Sequence, residues 1–349
     1  MGSMKAMVVR KYGGQDAIDL EEIDTPRPKK GEVLVQVRAV TVNRTRDLNV
    51  IKGSVVGPEY LPLIPGQDPA GQIVELGKGV ADRKVGERVI ISSKISCGKC
   101  PACKAGHDSD CRKSQSIGIH RPGGYAEFVA VPASQCFPIS KKLTFGEAAV
   151  IMRHVPMAMQ QLDRKAGVRK GDWVLVMGAS GGLGSACVQV AKYLGAKVIV
   201  GAGGDDRVRQ AMALGGDYGI NYRKQNLSKK VREITEGHGV DVVCENISDP
   251  STWPEAFKSM APLGRMVTSG AHGGGKVEVD MKYLYHHRLQ IIGAAGSDKQ
   301  NVADAFVAAG KGRIKAVVDL ELPLAELTRA FDLIDQRKVA GKVVIDPAL

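Results

Sequence analysis

From about residue 171 the chain repeats one pattern: a short buried-strand run, a turn, a stretch with helical spacing, then another apolar run. Residues 173–179 read WVLVMGA, 183–195 read LGSACVQVAKYLG, and 196–202 read AKVIVGA, which is a strand, a helix and a second strand. The alternation continues with a helix near 207–214, a strand at 240–244, a helix near 253–260 and a strand at 264–269. Strands that are apolar throughout, separated by helices, need cover on both faces, so the sequence predicts a doubly wound parallel sheet of the α/β class over residues 141–305.

The preceding third has another texture. Segments 4–10, 31–40, 71–76, 84–91 and 124–131 are short, strand-like and separated by Gly, Pro and charge, which predicts a mostly β domain over 4–140. Strand-like pieces return in the tail, and residues 306–349 are expected to complete that first domain. A length of 349 residues accords with two domains. Met1, Gly2 and Ser3, ahead of a second methionine at Met4, read as an appended leader.

Between the first predicted strand and helix of the α/β region lies Gly178-Ala179-Ser180-Gly181-Gly182-Leu183-Gly184, where a dinucleotide-binding turn would have to fall. Ser180, Gly181, Gly182 and Leu183 are placed to meet a pyrophosphate at the helix N-terminus, and Gly184 to let that helix pack on the sheet. The second strand ends in Gly203 and Gly204 with no carboxylate at its tip; Asp205 and Asp206 follow, and then Arg207. Room for a 2'-phosphate and a guanidinium to pair with it favour NADPH over NADH. The rival reading has Asp205 or Asp206 reaching back to the ribose. Tyr222 is a candidate contact at the adenosine phosphate, and Lys224 a weaker one.

Cys97, Cys100, Cys103 and Cys111 lie within fifteen residues, separated by two, two and seven others. Four thiols at this spacing predict one zinc per chain in a closed, sulfur-only structural site over 97–111. A redox pair and an iron–sulfur cluster are the less favoured uses of the same residues. His107 reads as a surface residue, and Cys136, Cys187 and Cys244 as small buried hydrophobes.

Lys and Arg outnumber Asp and Glu by 49 to 37, a surplus of 12 that favours anionic ligands. These residues are spread along the chain without a basic, aromatic-interleaved patch, so no nucleic-acid partner is expected. No apolar run of membrane-spanning length and no secretory segment is readable, which makes no membrane partner and a cytoplasmic location the expectations.

The order of domains, the four-cysteine lobe, the Ala179 to Gly184 turn and the GKVV at 341–344 together resemble the medium-chain dehydrogenase/reductase superfamily, over essentially the whole chain. The lobe is similar to that of zinc alcohol dehydrogenases, and the turn to the quinone oxidoreductase and 2-alkene (enoyl) reductase branch. The resemblance implies a GroES-like catalytic domain, a Rossmann domain, a small-molecule substrate in the cleft between them, and a homodimer or homotetramer. It also implies a second, catalytic zinc, whose ligand positions fall here on Asn43, on Gln67, and on Met152 or Arg153, with Asp68 beside Gln67. Amide, thioether and guanidinium groups are poor zinc ligands. The reaction this favours is hydride delivery from NADPH to the β carbon of an activated alkene, or to a quinone, without a catalytic metal. Asn43, Asp47, Arg153 and His154 are the candidate catalytic residues, with Arg153 and His154 offered to an enolate or anionic substrate and Asp47 to an ion pair with Arg44 or Arg46. Metal-free carbonyl or alcohol chemistry and a noncatalytic NADPH-binding role are the competing readings.

Overall fold

The computed structural model describes residues 2–336, 338–339 and 341–349; Met1 of the expected leader, and Arg337 and Ala340 of the tail, lie outside the described residues. The chain forms two compact units, one made of residues 1–153 and 316–349 and the other of 154–315. The expected boundaries at 140/141 and 305/306 thus sit ten to thirteen residues from the observed ones. The first observed boundary falls inside the helix Phe145–Met159, which runs across it without a turn, so no loop in the sequence marks the division.

In the second unit, six parallel strands stand in the order Tyr218–Asn221, Lys197–Ala202, Trp173–Met177, Val240–Glu245, Met260–Thr268, Gln290–Gly293. The sheet starts at Trp173–Met177, winds outward to one side, then returns to its centre and winds to the other. That reversal makes a crevice at the carboxyl ends of Trp173–Met177 and Val240–Glu245, where doubly wound sheets take ligands. Val174, Leu175, Val176 and Met177 are fully buried, as a strand covered on both faces must be. The outermost strand, Gln290–Gly293, leaves Ile291 exposed.

The first unit is built on the ten-residue strand Glu32–Thr41. It pairs antiparallel with Ala70–Leu76, with Phe128–Pro132 and, near its end, with Lys342–Ile345, where Val40 faces Ile345. Arg88–Ile91 and Cys136–Pro138 extend the sheet one way and Val318–Leu322 the other. The strand expected over 84–91 is shorter, because Lys84 to Glu87 is a turn: Gly86 has φ +86°, the Glu87 N–H donates to the Lys84 carbonyl, and Val85 is left exposed. The mostly β and doubly wound halves are both present as expected from the sequence.

Past Pro156 the helix Phe145–Met159 loosens into a π-type segment, Gln160–Lys165. The wider turn directs Gln161 inward, where its amide donates to Asn246 Oδ1 at 2.8 Å and its carbonyl oxygen accepts from the Cys187 thiol at 3.2 Å. No helix of the described residues is long and apolar enough to cross a membrane.

Candidate functional site

The turn from Gly178 to Gly184 is shaped by contacts that leave no space for side chains at Gly182 and Gly184. Gly184 in the first turn of the helix Gly182–Tyr193 lies on the carbonyl of Gly178, and a Cβ there would come within 2.1 Å of that oxygen. Gly182 lies against the His154 ring, 2.6 Å from Nε2 to where a Cβ would stand. The Gly181 N–H donates back to the Gly178 carbonyl at 2.9 Å, Ser180 and Leu183 are half-buried, and Gly181 and Gly182 are open. This arrangement keeps the amino end of a twelve-residue helix clear for an anionic group.

At the end of the second strand, Gly203 lies against the Tyr222 hydroxyl and the Arg223 Nε, and Gly204 caps the helix Asp205–Ala213. Arg207 is exposed on the first turn of that helix. Both acidic neighbours are engaged elsewhere. Asp205 accepts from Lys224 Nζ and Asn221 Nδ2, each at 2.6 Å, which holds its carboxyl below the usual range; Asp206 pairs with Arg209. Lys224, offered to a phosphate, is exposed and pairs with Asp205 here, while Arg223 approaches Gly203 at the end of the second strand. Arg223 escaped the sequence reading because the short strand Tyr218–Asn221, which carries it to this end of the sheet, has two exposed residues of four and no clear apolar pattern.

The sulfurs of Cys97, Cys100, Cys103 and Cys111 lie within 4.8 Å of one another. A tetrahedral shell with zinc–sulfur bonds of about 2.3 Å sets its sulfurs about 3.8 Å apart, so this donor set fits a closed zinc site. Backbone N–H groups of Lys99 and Cys100 aimed at the Cys97 sulfur draw its thiol down to about 6, and the Cys97 N–H donates to Cys111 at 3.3 Å. His107 is exposed and outside the cluster. Cys136, Cys187 and Cys244 are fully buried.

A second polar cluster occupies the first unit. Asp47, on the helix Arg44–Ile51, is buried and accepts from the Tyr125 hydroxyl at 2.7 Å and the Asn43 N–H at 2.8 Å. Burial pushes its carboxyl up to about 6, against the opposing pull of these hydrogen bonds and of Arg153 and Arg46. The expected ion pair with Arg44 or Arg46 does not form among the described residues: Arg44 pairs with Asp335, and Arg46 Nε donates to Gln67 Oε1 at 3.3 Å. The reason is geometric, since Asp47 points into the protein to Tyr125 while both arginines stay half-exposed. The Asn43 side chain donates to Thr41 Oγ1 at 3.3 Å.

Asp68, also buried, exchanges two hydrogen bonds with Ser93 at 2.6 and 3.0 Å and faces Arg153 Nη1 at 4.0 Å. Arg153 and His154 do not act as a pair. Adjacent residues on a helix diverge by about 100°, and Arg153 turns to Asp68 while His154 turns to the nucleotide turn. Tyr125 and Lys342, neither of them a candidate site residue from the sequence, both lie within reach of the Arg153 charge. Tyr60 stacks edge-on with His120, and His286 and His287 each stack on a tyrosine.

A catalytic zinc does not fit these residues. Among the described residues the one group of three or more His, Cys, Asp or Glu side chains able to hold a metal is the cysteine cluster. The positions expected for catalytic ligands carry an amide bonded to Thr41, an amide bonded to Arg46 and a guanidinium turned to a carboxylate.

Residues 29–141 match the alcohol dehydrogenase GroES-like domain and residues 182–309 the zinc-binding dehydrogenase family. An NAD-dependent alcohol dehydrogenase of Sulfolobus acidocaldarius is 32% identical over 98% of this chain and 99% of its own. The structure of AibC superposes with a TM-score of 0.93 at 32% identity, covering 99% of this chain and 96% of that one. A mycobacterial quinone oxidoreductase superposes at 0.82 and 26% identity, covering 99% of this chain and all of that one. With its GroES-like and Rossmann halves and its zinc-binding cysteine lobe, the chain belongs to the medium-chain, zinc-type dehydrogenase/reductase family and is an oxidoreductase.

Proposed function

We propose that this oxidoreductase takes NADPH and delivers hydride to the β carbon of an activated alkene, an enone or enoyl thioester, or to a quinone, without a catalytic metal. The observation that carries the reading is the donor set at Asn43, Gln67 and Arg153, in which groups that bind zinc poorly are already committed to protein partners. Alcohol chemistry on zinc needs a metal that lowers the hydroxyl pKa. A conjugated alkene carries its own electron sink instead. As hydride adds at the β carbon, the π electrons move to the carbonyl oxygen, and a proton then adds at the α carbon.

The bound nicotinamide supplies the hydride; the residues of this chain supply position and charge. Gly181, Gly182 and the helix start behind them receive the pyrophosphate. Arg207 and Arg223 flank the place of a 2'-phosphate, where Asp205 and Asp206, already paired with cations, would otherwise favour a bare ribose. Asn43 is the candidate donor to the substrate oxygen, and Asp47 positions it through its backbone N–H. A cytoplasmic location accords with cysteines that form no disulfide among the described residues.

Steady-state oxidation of NADPH and NADH against enones, enoyl thioesters, quinones and aldehydes tests this. NADPH is expected to win with alkenes or quinones, and Arg207→Gln with Arg223→Gln to raise KM for NADPH on the order of tenfold each while leaving NADH unchanged. Metal analysis should return one zinc per chain. Two, or turnover of alcohols and aldehydes alone, would return the chain to alcohol dehydrogenase chemistry, the reading favoured by its alcohol dehydrogenase relatives.

A further inference from the structure

Arg46 and Arg153 share a small, half-buried region of the first unit with Lys342, Asp47 and Asp68. Three cations and two carboxylates leave one positive charge without a counterpart. Neither carboxylate hydrogen-bonds a guanidinium among the described residues. Asp47 is held by Tyr125 and Asn43, and Asp68 by Ser93, so that Arg153 reaches Asp68 only at 4.0 Å. Arg46 donates to an amide oxygen, Gln67 Oε1, at 3.3 Å; Asp47 and Asp68 are near enough to act on its charge but form no ion pair with it among the described residues. The Nε of Arg153 is buried and donates to nothing among the described residues. Arg153 also lowers the proton affinity of Arg46 and of Lys342, so the cations repel one another where burial already disfavours charge.

Like charges gathered in a partly dry place are unfavourable unless an anion meets them. The side chain of Arg153 is 28% exposed, so a small molecule can reach it. Two planar guanidiniums match the fork of a carboxylate, which each can grip through parallel hydrogen bonds.

We infer that Arg46 and Arg153 form the receptor for a carboxylate carried by the substrate, so that the preferred substrate is an activated alkene with a separate carboxylate group. This rests on the reductase reading, and it leaves the carbonyl oxygen to Asn43. The carboxylate takes no part in the redox step; it fixes the alkene in place.

Calorimetric titration of the full-length protein with 4-oxopentanoate and with its methyl ester, which has the same ketone but no charge, tests the receptor without turnover. The acid is expected to bind at least tenfold more tightly. Arg153→Gln and Arg46→Gln should each erase most of that preference and Arg153→Lys part of it, while Arg10→Gln, in an exposed pair with Glu21, should leave it intact. Equal binding of acid and ester by the unmodified protein would overturn the inference even if the variants fail to fold, as would a preference that survives both Gln substitutions. Inorganic phosphate is the third ligand; phosphate binding that is tighter than the carboxylate and is lost in Arg153→Gln would overturn the assignment to carboxylate. Kinetics with 6-oxo-4-heptenoate, whose carboxylate is not conjugated with the alkene, and its methyl ester separate the two readings. Reduction of both at equal kcat/KM sinks the receptor and keeps the reductase, whereas selective carboxylate binding without oxidation of NADPH does the reverse.

Discussion

Asp47 is a carboxyl whose folded environment works against its charge. Its ordinary value of 3.8 rises to about 6, with burial the largest cause. Between those values the folded protein keeps a proton that the unfolded chain has released, so stability is highest at the acidic end and falls as pH rises through about 6. The difference is worth on the order of 3 kcal/mol. Asp47→Asn can still accept from Tyr125 or Asn43 and has no charge to bury. We therefore expect urea unfolding from pH 4 to 7 to show the unmodified protein losing about that much stability relative to Asp47→Asn. A constant difference would mean that Asp47 is ionised throughout. At this scale the sequence was legible where partners are neighbours in the chain. The cysteine ligands lie within fifteen residues and announce themselves by spacing. Arg46, Gln67, Asp68 and Arg153 come together only through folding of the first unit, and no spacing records which of two arginines faces which carboxylate.

Among elements, the cysteine lobe has the least apolar support. Its helix Pro101–Lys104 is four residues long and has no buried residue, and the flanking strands Lys94–Ile95 and Gln115–Ser116 pair over two residues each. Metal ligation is then the main source of its order. Cys103→Ser is expected to drop zinc well below one per chain and to lower Tm by roughly 4–8 °C for a loss on the order of 2 kcal/mol, read by metal analysis and calorimetry. Full zinc retention would refute the four-sulfur site. Strong apolar runs such as Trp173–Met177 were readable as strands because burial on both faces leaves few residue choices. Lys84 to Glu87 misled, since a valine beside a glycine in the left-handed region reads as strand and folds as a turn. The π-type turn at Gln160–Lys165 left no periodic signal at all.

For the molecule as a whole, the parallel sheet of the second unit ends in an unpaired edge, Gln290–Gly293, with Ile291, Leu263 and Tyr285 exposed nearby. Such an edge invites pairing with another copy. We expect sedimentation to give a dimer or larger assembly and Ile291→Lys to shift it toward monomer; a monomeric unmodified protein would remove this edge as an interface. The strand Lys342–Ile345 has a different consequence. It pairs with Glu32–Thr41 across some three hundred residues, while the second unit is drawn from one uninterrupted stretch. During synthesis the later-encoded body can therefore close first, as the earlier one waits on the ribosome's last few dozen residues with a sheet edge still unzipped. Premature termination near residue 316 would spare the second unit and leave the first as a substrate for chaperones.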